Sequence, residues 1–453
     1  MRQINLFITL AVLISCNNQH TENKKMTQIV TLDPGHFHAA LVQKTMYDDV
    51  DSVVYVYAPE GDDLKMHIDR INGFNSRAES PTHWKEVVYR GNDFFEKMIA
   101  GKKGNVVVLA GNNAKKTDYI LRSLEAGFNV LADKPMAITP EDFVTLKKAF
   151  DVAKEKKLLL YDIMTERFEI NTILQKELSM IPEIFGTLDT GNVNHPAVEM
   201  VSDHNFYKNV SGNIVVRPPW FMDASQQGNG IVDVTTHLVD LVQWECFPGQ
   251  SLDYTKDIAI TSAKRWPTDM TVNQFKTITK LNDVPAFIEK DKKIDSLLKI
   301  WSNGEINYTL KGVHARVTVV WSYQTESGND THYSITRGTK ANLVIRQGKE
   351  ENFKPVLYIE PISNDDAFQY IVEEEFKKIS TKFPGVELYK TPKGWSVKLP
   401  EKFAEGHESH FARVTNNFLG YLKNKNMPGW EVPDMLAKYY TTTKALEIAL
   451  RNK

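Results

Sequence analysis

The sequence predicts an α/β fold in which a doubly wound parallel sheet precedes an α+β region with a large open, mostly antiparallel sheet. The first observation is a strand–helix–strand pattern, with a β-branched run at 106–110, helical spacing over 117–126 and a second strand at 128–132. This pattern is typical of parallel βαβ units. The second observation is a change to period two, typical of antiparallel strands, in the runs 306–310, 315–323, 333–336 and 342–345.

Local signals support each predicted element. The helix over 117–126 has Thr117 and Asp118 at its start and Gly127 at its end. The helix over 139–156 has Thr139-Pro140-Glu141 as its start signal. The remaining predicted elements are strands at 28–32, 53–57 and 158–161 and helices at 411–422 and 435–450.

Length and composition limit the class of protein. A chain of 453 residues is long enough for two or three domains. Its 55 basic and 57 acidic residues create no field that would favour nucleic acid over a small neutral substrate. With only Cys16 and Cys246, the chain has no disulfide framework.

The first residues resemble a bacterial lipoprotein signal. Residues 1–16 have an early Arg2, a short apolar run and the sequence Leu13-Ile14-Ser15-Cys16, which looks like a lipobox. We therefore expect a signal peptide at 1–16, a lipid on Cys16 that binds the membrane, and a tether over 17–27, with the protein in the cell envelope, periplasmic or on the outer membrane. The alternatives are an ordinary cleaved signal, or a start at Met26 that leaves a cytoplasmic enzyme.

The turn after the first strand departs from the dinucleotide-binding fingerprint. That fingerprint needs three glycines, whereas here only Gly35 is glycine and Asp33 and His38 occupy the other two places. We interpret the stretch as an altered phosphate turn in which Gly35, His36 and His38 contact a cofactor at a helix N-terminus.

The pair His36-x-His38 has two other interpretations. It resembles the first metal-binding strand of amidohydrolase-like zinc enzymes, but such enzymes need eight strand–helix alternations and more ligands. The histidines would otherwise line the crevice without touching a cofactor. No metal is expected.

Further cofactor contacts are predicted where later strands end. Glu60, shortly after the strand 53–57, is the candidate for the adenosine ribose, with a solvated loop carboxylate as the equal alternative. Asn112 and Asn113 lie in the turn after 106–110. Lys134 precedes a Pro, which favours an extended backbone and aims its side chain into the crevice.

The strongest feature of the second half is a polar stripe. Asp233, His237, Asp240 and Trp244 recur at a spacing that places them on one face of a helix whose other faces are mostly apolar. Buried polar groups without partners cost free energy, so the stripe must face partners, water or a ligand. A two-ligand metal site and a purely structural stripe are the alternatives.

Together these motifs resemble the Gfo/Idh/MocA family of NAD(P)-dependent oxidoreductases. The resemblance rests on Leu124-Glu125-Ala126-Gly127 before Asp133-Lys134-Pro135, and on a glycine-rich turn entering Asp-x-x-x-His-x-x-Asp at residues 233–240. It covers roughly 28–345 and the last forty residues. It implies a Rossmann-like domain at 28–165, an α+β substrate and oligomerisation domain at 166–433 whose sheet pairs copies of the chain, and a helix at 434–453 that packs back.

The resemblance also implies roles for individual residues. Lys134, Asp233 and His237 correspond to the catalytic set, with NAD or NADP as cofactor. His237, expected near its ordinary pKa, would accept a proton from the substrate hydroxyl while Lys134 stabilises the alkoxide. Arg167 belongs to an Arg-Phe pair that either reaches substrate or ties the domains together, and Asp240 would orient the helix.

The expected substrate is a carbohydrate. The loop-rich stretch 192–220 offers Tyr207 and Trp220 for hydrogen bonding and stacking against a sugar. The predicted function is NAD(P)-dependent oxidation or reduction of a ring hydroxyl of a sugar, sugar derivative or cyclitol. The alternatives are an NAD-dependent glycoside hydrolase that regenerates a tightly bound cofactor in each turnover, and a cofactor-free carbohydrate-binding lipoprotein.

Overall fold

The computed structural model describes residues 26–210, 213–289, 297–363 and 365–451. The signal peptide and most of the tether lie outside this part of the chain, so acylation of Cys16 stays a prediction. Within the described part, no helix has both the length and the apolar character needed to cross a membrane.

The N-terminal layer is a six-stranded parallel sheet in the order β3-β2-β1-β4-β5-β6. Its central strands are buried on both faces, which explains why their sequences are continuous apolar runs. The strands are β1 Ile29–Leu32, β2 Val53–Ala58, β3 Lys85–Arg90, β4 Val106–Leu109, β5 Asn129–Asp133 and β6 Leu160–Ile163. The helices are α1 His38–Leu41, α2 Asp62–Ser76, α3 Phe94–Gly101, α4 Lys116–Glu125 and α5 Pro140–Lys156.

The C-terminal layer is a nine-stranded sheet in the order β10-β11-β12-β7-β13-β14-β15-β17-β16, antiparallel except where β12 meets β7. Its strands are β7 Val198–Asn205, β10 Ile258–Thr271, β11 Leu297–Leu310, β12 Val313–Ser322, β13 Thr331–Arg337, β14 Ala341–Gln347, β15 Val356–Pro361, β16 Glu387–Thr391 and β17 Gly394–Lys398, with a separate hairpin of β8 Asn209–Val210 and β9 Asn213–Ile214. Its α-helices are α6 Ile170–Ser179, α7 Thr235–Cys246, α8 Val272–Thr279, α9 Ala286–Glu289, α10 Asp366–Lys382, α11 His407–Asn424 and α12 Glu431–Arg451. Short 3₁₀ helices span Glu166–Phe168, Pro219–Met222 and Glu401–Phe403.

Both predicted layers are therefore confirmed. The period-two pattern of β12 corresponds to strict alternation of buried and half-buried side chains. Two stretches that the sequence pattern left unassigned are structured. Residues 73–90 contain the end of α2 and all of β3, and 349–398 supply β15, β16, β17 and α10.

The last two helices return to the first layer. Phe411 and Phe418 of α11 and Tyr439 of α12 belong to the same hydrophobic core as the parallel sheet. Buried ion pairs join the layers: Lys438 of α12 contacts Asp162 of β6 and Asp240 of α7, each at 2.7 Å. These contacts fix α7 against the carboxyl edge of the parallel sheet.

Candidate active site

A buried ion pair joins the two motifs at the centre of the crevice. Lys134, directly after β5, places Nζ 2.7 Å from Oδ1 of Asp233, and both side chains are buried. The second oxygen of Asp233 accepts a hydrogen bond from Nε2 of Gln227 at 3.0 Å. Burial lowers the pKa of Lys134, but attraction by Asp233 and Asp133 outweighs it, so the pKa is raised overall. Lys134 is therefore held as an ammonium ion.

Asp233 does not lie on the helix that the spacing predicted. Helix α7 begins at Thr235, and the residues before it form successive turns. A Cβ on Gly230 would lie 1.8 Å from the carbonyl oxygen of Ser302, so only glycine lets this turn pack against β11. The turn is closed by Thr235, whose hydroxyl donates to the Gly230 carbonyl at 2.6 Å. The turn places Asp233 two residues before the first residue of α7.

His237 lies in the first turn of α7 with its Nδ1 buried and without a hydrogen-bond partner among the described residues. Burial, reinforced by the charge of Lys134, lowers the pKa of His237 to about 4. The expectation of an ordinary pKa was therefore wrong, because partial burial and the nearby ammonium of Lys134 both disfavour the charged imidazole. At neutral pH the ring is neutral and is able to accept a proton.

Arg167 and Asp240 form a structural contact beneath the site. The Arg167 Nε and Nη2 atoms donate to the two Asp240 oxygens at 2.6 and 2.7 Å, and Nη1 donates to Glu431 at 3.1 Å. Arg167 thus joins the segment after β6 to α7 and α12, and a contact with substrate stays a prediction. The alternative role for Arg167, tying the layers together, and the orienting role predicted for Asp240 both agree with this geometry.

A second polar cluster closes the crevice from the C-terminal side. His407, at the start of α11, lies 3.3 Å from a carboxylate oxygen of Glu166 and 3.1 Å from the hydroxyl of Thr165. Burial alone would lower the pKa of His407, but Glu166 raises it overall. Sequence reasoning missed the place of His407 at the crevice, because its partner Glu166 lies 241 positions earlier in the chain.

The turn after β1 does not fit a pyrophosphate in the manner of a dinucleotide fold. The backbone N–H groups of Gly35 and His36 already donate to the carbonyl of Ala110, at 3.3 and 3.0 Å. Helix α1 has only four residues, so the predicted helix N-terminus offers little dipole. A Cβ on Gly35 would lie 2.9 Å from a carboxylate oxygen of Asp63, and burial raises the pKa of Asp63 to about 6. The two N–H groups that would bind a phosphate already have an acceptor, and the Asp63 carboxylate beside them would repel its negative charge.

The other predicted cofactor residues make different contacts. The Glu60 side chain is 73% exposed and lies 3.6 Å from Arg90, whereas Asp63 is the carboxylate beside Gly35. Asn112 and Asn113 donate to Gln226 and Gln227, each at 2.7 Å, and so hold the loop before α7 against β4. The two asparagines thus fix the walls of the crevice.

The predicted substrate aromatics, Trp220 and Tyr207, contact other side chains of the protein. Trp220 packs beside Gly35 and donates to Asp63 at 2.9 Å, while the Tyr207 ring faces Tyr323. Other aromatic side chains line a narrow cavity that includes Asp233 and Gln227. They are Phe206, Phe221, Trp301 and Trp321. Sequence reasoning missed them because they come from four separate segments.

Comparisons with known proteins identify both halves of the chain. The family model described as "Oxidoreductase family, NAD-binding Rossmann fold" matches residues 65–161, and the one described as "Putative oxidoreductase C terminal domain" matches residues 174–450. The first match begins beyond the altered turn. No curated protein matches the chain.

Among solved structures, a putative oxidoreductase from Parabacteroides merdae ATCC 43184 is 52% identical, with 95% of this chain and 98% of that chain covered and a TM-score of 0.93. Levoglucosan dehydrogenase in complex with NADH and levoglucosan is 12% identical, with coverage of 94% and 98% and a TM-score of 0.61. A putative myo-inositol dehydrogenase from Sinorhizobium meliloti 1021 is also 12% identical, with coverage of 94% and 98% and a TM-score of 0.53. The last two show the fold alone. On the family matches and the first likeness, the chain belongs to the Gfo/Idh/MocA family of oxidoreductases.

Proposed function

We propose that this protein is an enzyme that interconverts a ring hydroxyl and a carbonyl on a sugar, sugar derivative or cyclitol. The observation that supports it is the buried Lys134–Asp233 pair beside a neutral His237. The names of two structural relatives, which refer to levoglucosan and myo-inositol, point to the same substrate class.

Each residue of this group has a distinct task. The Lys134 ammonium donates to the substrate oxygen and stabilises the negative charge that develops there. His237 accepts the hydroxyl proton, and its low pKa keeps it unprotonated and available over the physiological range. Asp233 keeps Lys134 charged and in place, while Gln227 holds Asp233. These residues perform the proton-transfer half of the reaction.

Oxidation of a hydroxyl also needs a hydride acceptor. The family description supports NAD or NADP in that role. The turn after β1, however, does not offer the usual binding site for the pyrophosphate of such a cofactor. Equilibrium binding of NAD and NADP to the purified protein is therefore the first measurement to make.

Turnover of a panel of sugars and cyclitols, with each cofactor, tests the proposal. Replacing one preorganised donor to a developing oxyanion lowers kcat by about 10²–10³ fold, which we expect for Lys134→Ala. Lys148→Ala is the matched control, because Lys148 is exposed and pairs with Glu125 on the surface; it should leave kcat unchanged. Full turnover by Lys134→Ala would overturn the proposal. Bound cofactor with release of an aglycone and no net reduction would favour a glycoside hydrolase instead.

A further inference from the structure

Three metal-ligating side chains converge in the crevice beside Lys134. His36 and His38 follow β1, and Asp133 is the last residue of β5. One ligand atom from each lies within 4.8 Å of the others. Oδ2 of Asp133 is 2.9 Å from Nδ1 of His38 and 3.9 Å from Nδ1 of His36, and the two imidazole centroids are 4.0 Å apart.

The topology explains this convergence. Strands β1 and β5 flank β4 in the parallel sheet, so their carboxyl ends lie at one edge with a single strand between them. The backbone of the turn is fixed because the amides of Gly35 and His36 donate to Ala110. The third ligand, Asp133, comes 95 positions after His38. Only the folded sheet reveals that it completes the set.

Buried polar atoms in this region lack partners. Asp133 is 3% exposed, and its Oδ1 has no hydrogen-bond partner among the described residues. Nδ1 of His237 is also buried without a hydrogen-bond partner among the described residues, and His237 lies within electrostatic range of His38. A buried acceptor without a hydrogen-bond partner is unfavourable, and more so when it is charged. A bound cation would satisfy the Asp133 carboxylate.

The electrostatic surroundings are mixed. The positive neighbours are Lys116, Lys134 and His407, of which Lys134 is paired with Asp233 and His407 with Glu166. The Nζ of Lys116 donates to the main-chain carbonyl of Asp133 at 3.0 Å and so contacts the backbone of this residue rather than its carboxylate.

We propose that His36, His38 and Asp133 bind one divalent transition-metal ion, of the zinc class, at the floor of the crevice. Two imidazoles and one carboxylate form a donor set found in catalytic zinc sites, and three protein ligands leave a position for water or a substrate oxygen. The site replaces the expectation of no metal. It also gives a reason for the altered glycine turn, because His38 occupies a place where the dinucleotide fingerprint requires glycine.

Metal content and binding test the site without any carbohydrate substrate. The full-length protein is stripped with a chelator, titrated with Zn²⁺ by calorimetry and with Co²⁺ by visible absorption, and its metal content is measured by mass spectrometry. We expect one equivalent per chain and a cobalt spectrum typical of nitrogen and oxygen ligands. Loss of a single ligand should weaken binding by at least about 10-fold in His36→Gln and Asp133→Asn. His36 is only half-buried, so His36→Gln tests binding even where Asp133→Asn unfolds.

Two control variants separate this inference from the proposed function. His195→Gln changes an exposed histidine outside the crevice and should bind metal like the wild type. Lys134→Ala should lose turnover yet still bind a full equivalent. Substoichiometric binding of both metals by the wild type, or unchanged affinity in folded His36→Gln, would overturn the metal site. The proposed function has its own test: if metal-free protein turns over substrate and Lys134→Ala abolishes that turnover, the proposed function holds whether or not the metal site does.

Discussion

The buried ammonium of Lys438 provides the sharpest test of how the crevice is held. Its side chain is fully buried and contacts Asp162 and Asp240 at 2.7 Å each. Lys438→Met keeps most of the volume but removes the charge, so both carboxylates lose a cationic partner in a buried site. Breaking a buried ion pair by removing one partner costs about 3–5 kcal/mol.

The remaining contacts place the expected loss at the lower end of that range. Asp240 keeps its two hydrogen bonds from Arg167, and Asp162 keeps the one from the Tyr439 hydroxyl at 2.9 Å. We therefore expect Lys438→Met to lower the free energy of unfolding by about 3 kcal/mol. Because Asp240 lies on α7 with His237, we also expect kcat to fall while the variant remains folded.

Urea denaturation followed by circular dichroism measures the effect, and Lys444→Met is the matched control on the same helix. Lys444 is 38% exposed and pairs with Glu447, an exposed type of ion pair worth about 0–1 kcal/mol. A loss below about 1 kcal/mol in Lys438→Met would refute the reasoning, since it would mean that the two carboxylates are solvated or protonated without cost. Equal losses in the two variants would refute it as well.

Two further predictions concern stability. Burial raises the pKa of Glu86 to about 7, against a weaker opposing hydrogen bond from Gln43. The folded state therefore binds a proton at Glu86 more tightly than the unfolded state does. As a result, this residue makes the free energy of unfolding fall as pH rises from the ordinary pKa of 4.5 through 7. Glu86→Gln should remove that dependence, with its stability relative to wild type rising by about 2 kcal/mol between pH 5 and pH 8 in urea titrations, and an unchanged pH profile would contradict this. Gly230→Ala should destabilise the protein by about 3 kcal/mol and reduce turnover, because the new Cβ would meet the Ser302 carbonyl. Gly73→Ala has no heavy atom within 4 Å of its Cβ and should be neutral or stabilising by about 0.5–1 kcal/mol in the same urea titrations. A folded, fully active Gly230→Ala would show that the turn is free to shift.

The sequence by itself determined the layers and the two motifs of the site. The apolar run of β4, the helical spacing of α4 and the alternation of β12 are local patterns, and each predicts its own element because burial on one or two faces is imposed residue by residue. Lys134 was recognisable because its place between a strand and a Pro is also local.

Tertiary structure alone decided which groups share the crevice. Asp133 meets His38, Glu166 meets His407, and Arg167 meets Asp240, although the partners in these pairs are 95, 241 and 73 positions apart. The pKa of His237 was equally hidden, because it depends on how completely surrounding elements exclude water from the ring. Spacing along a chain fixes the face on which a side chain lies. The packing of distant elements fixes what that face meets and how much water remains there, and in this protein the chemistry depends on both.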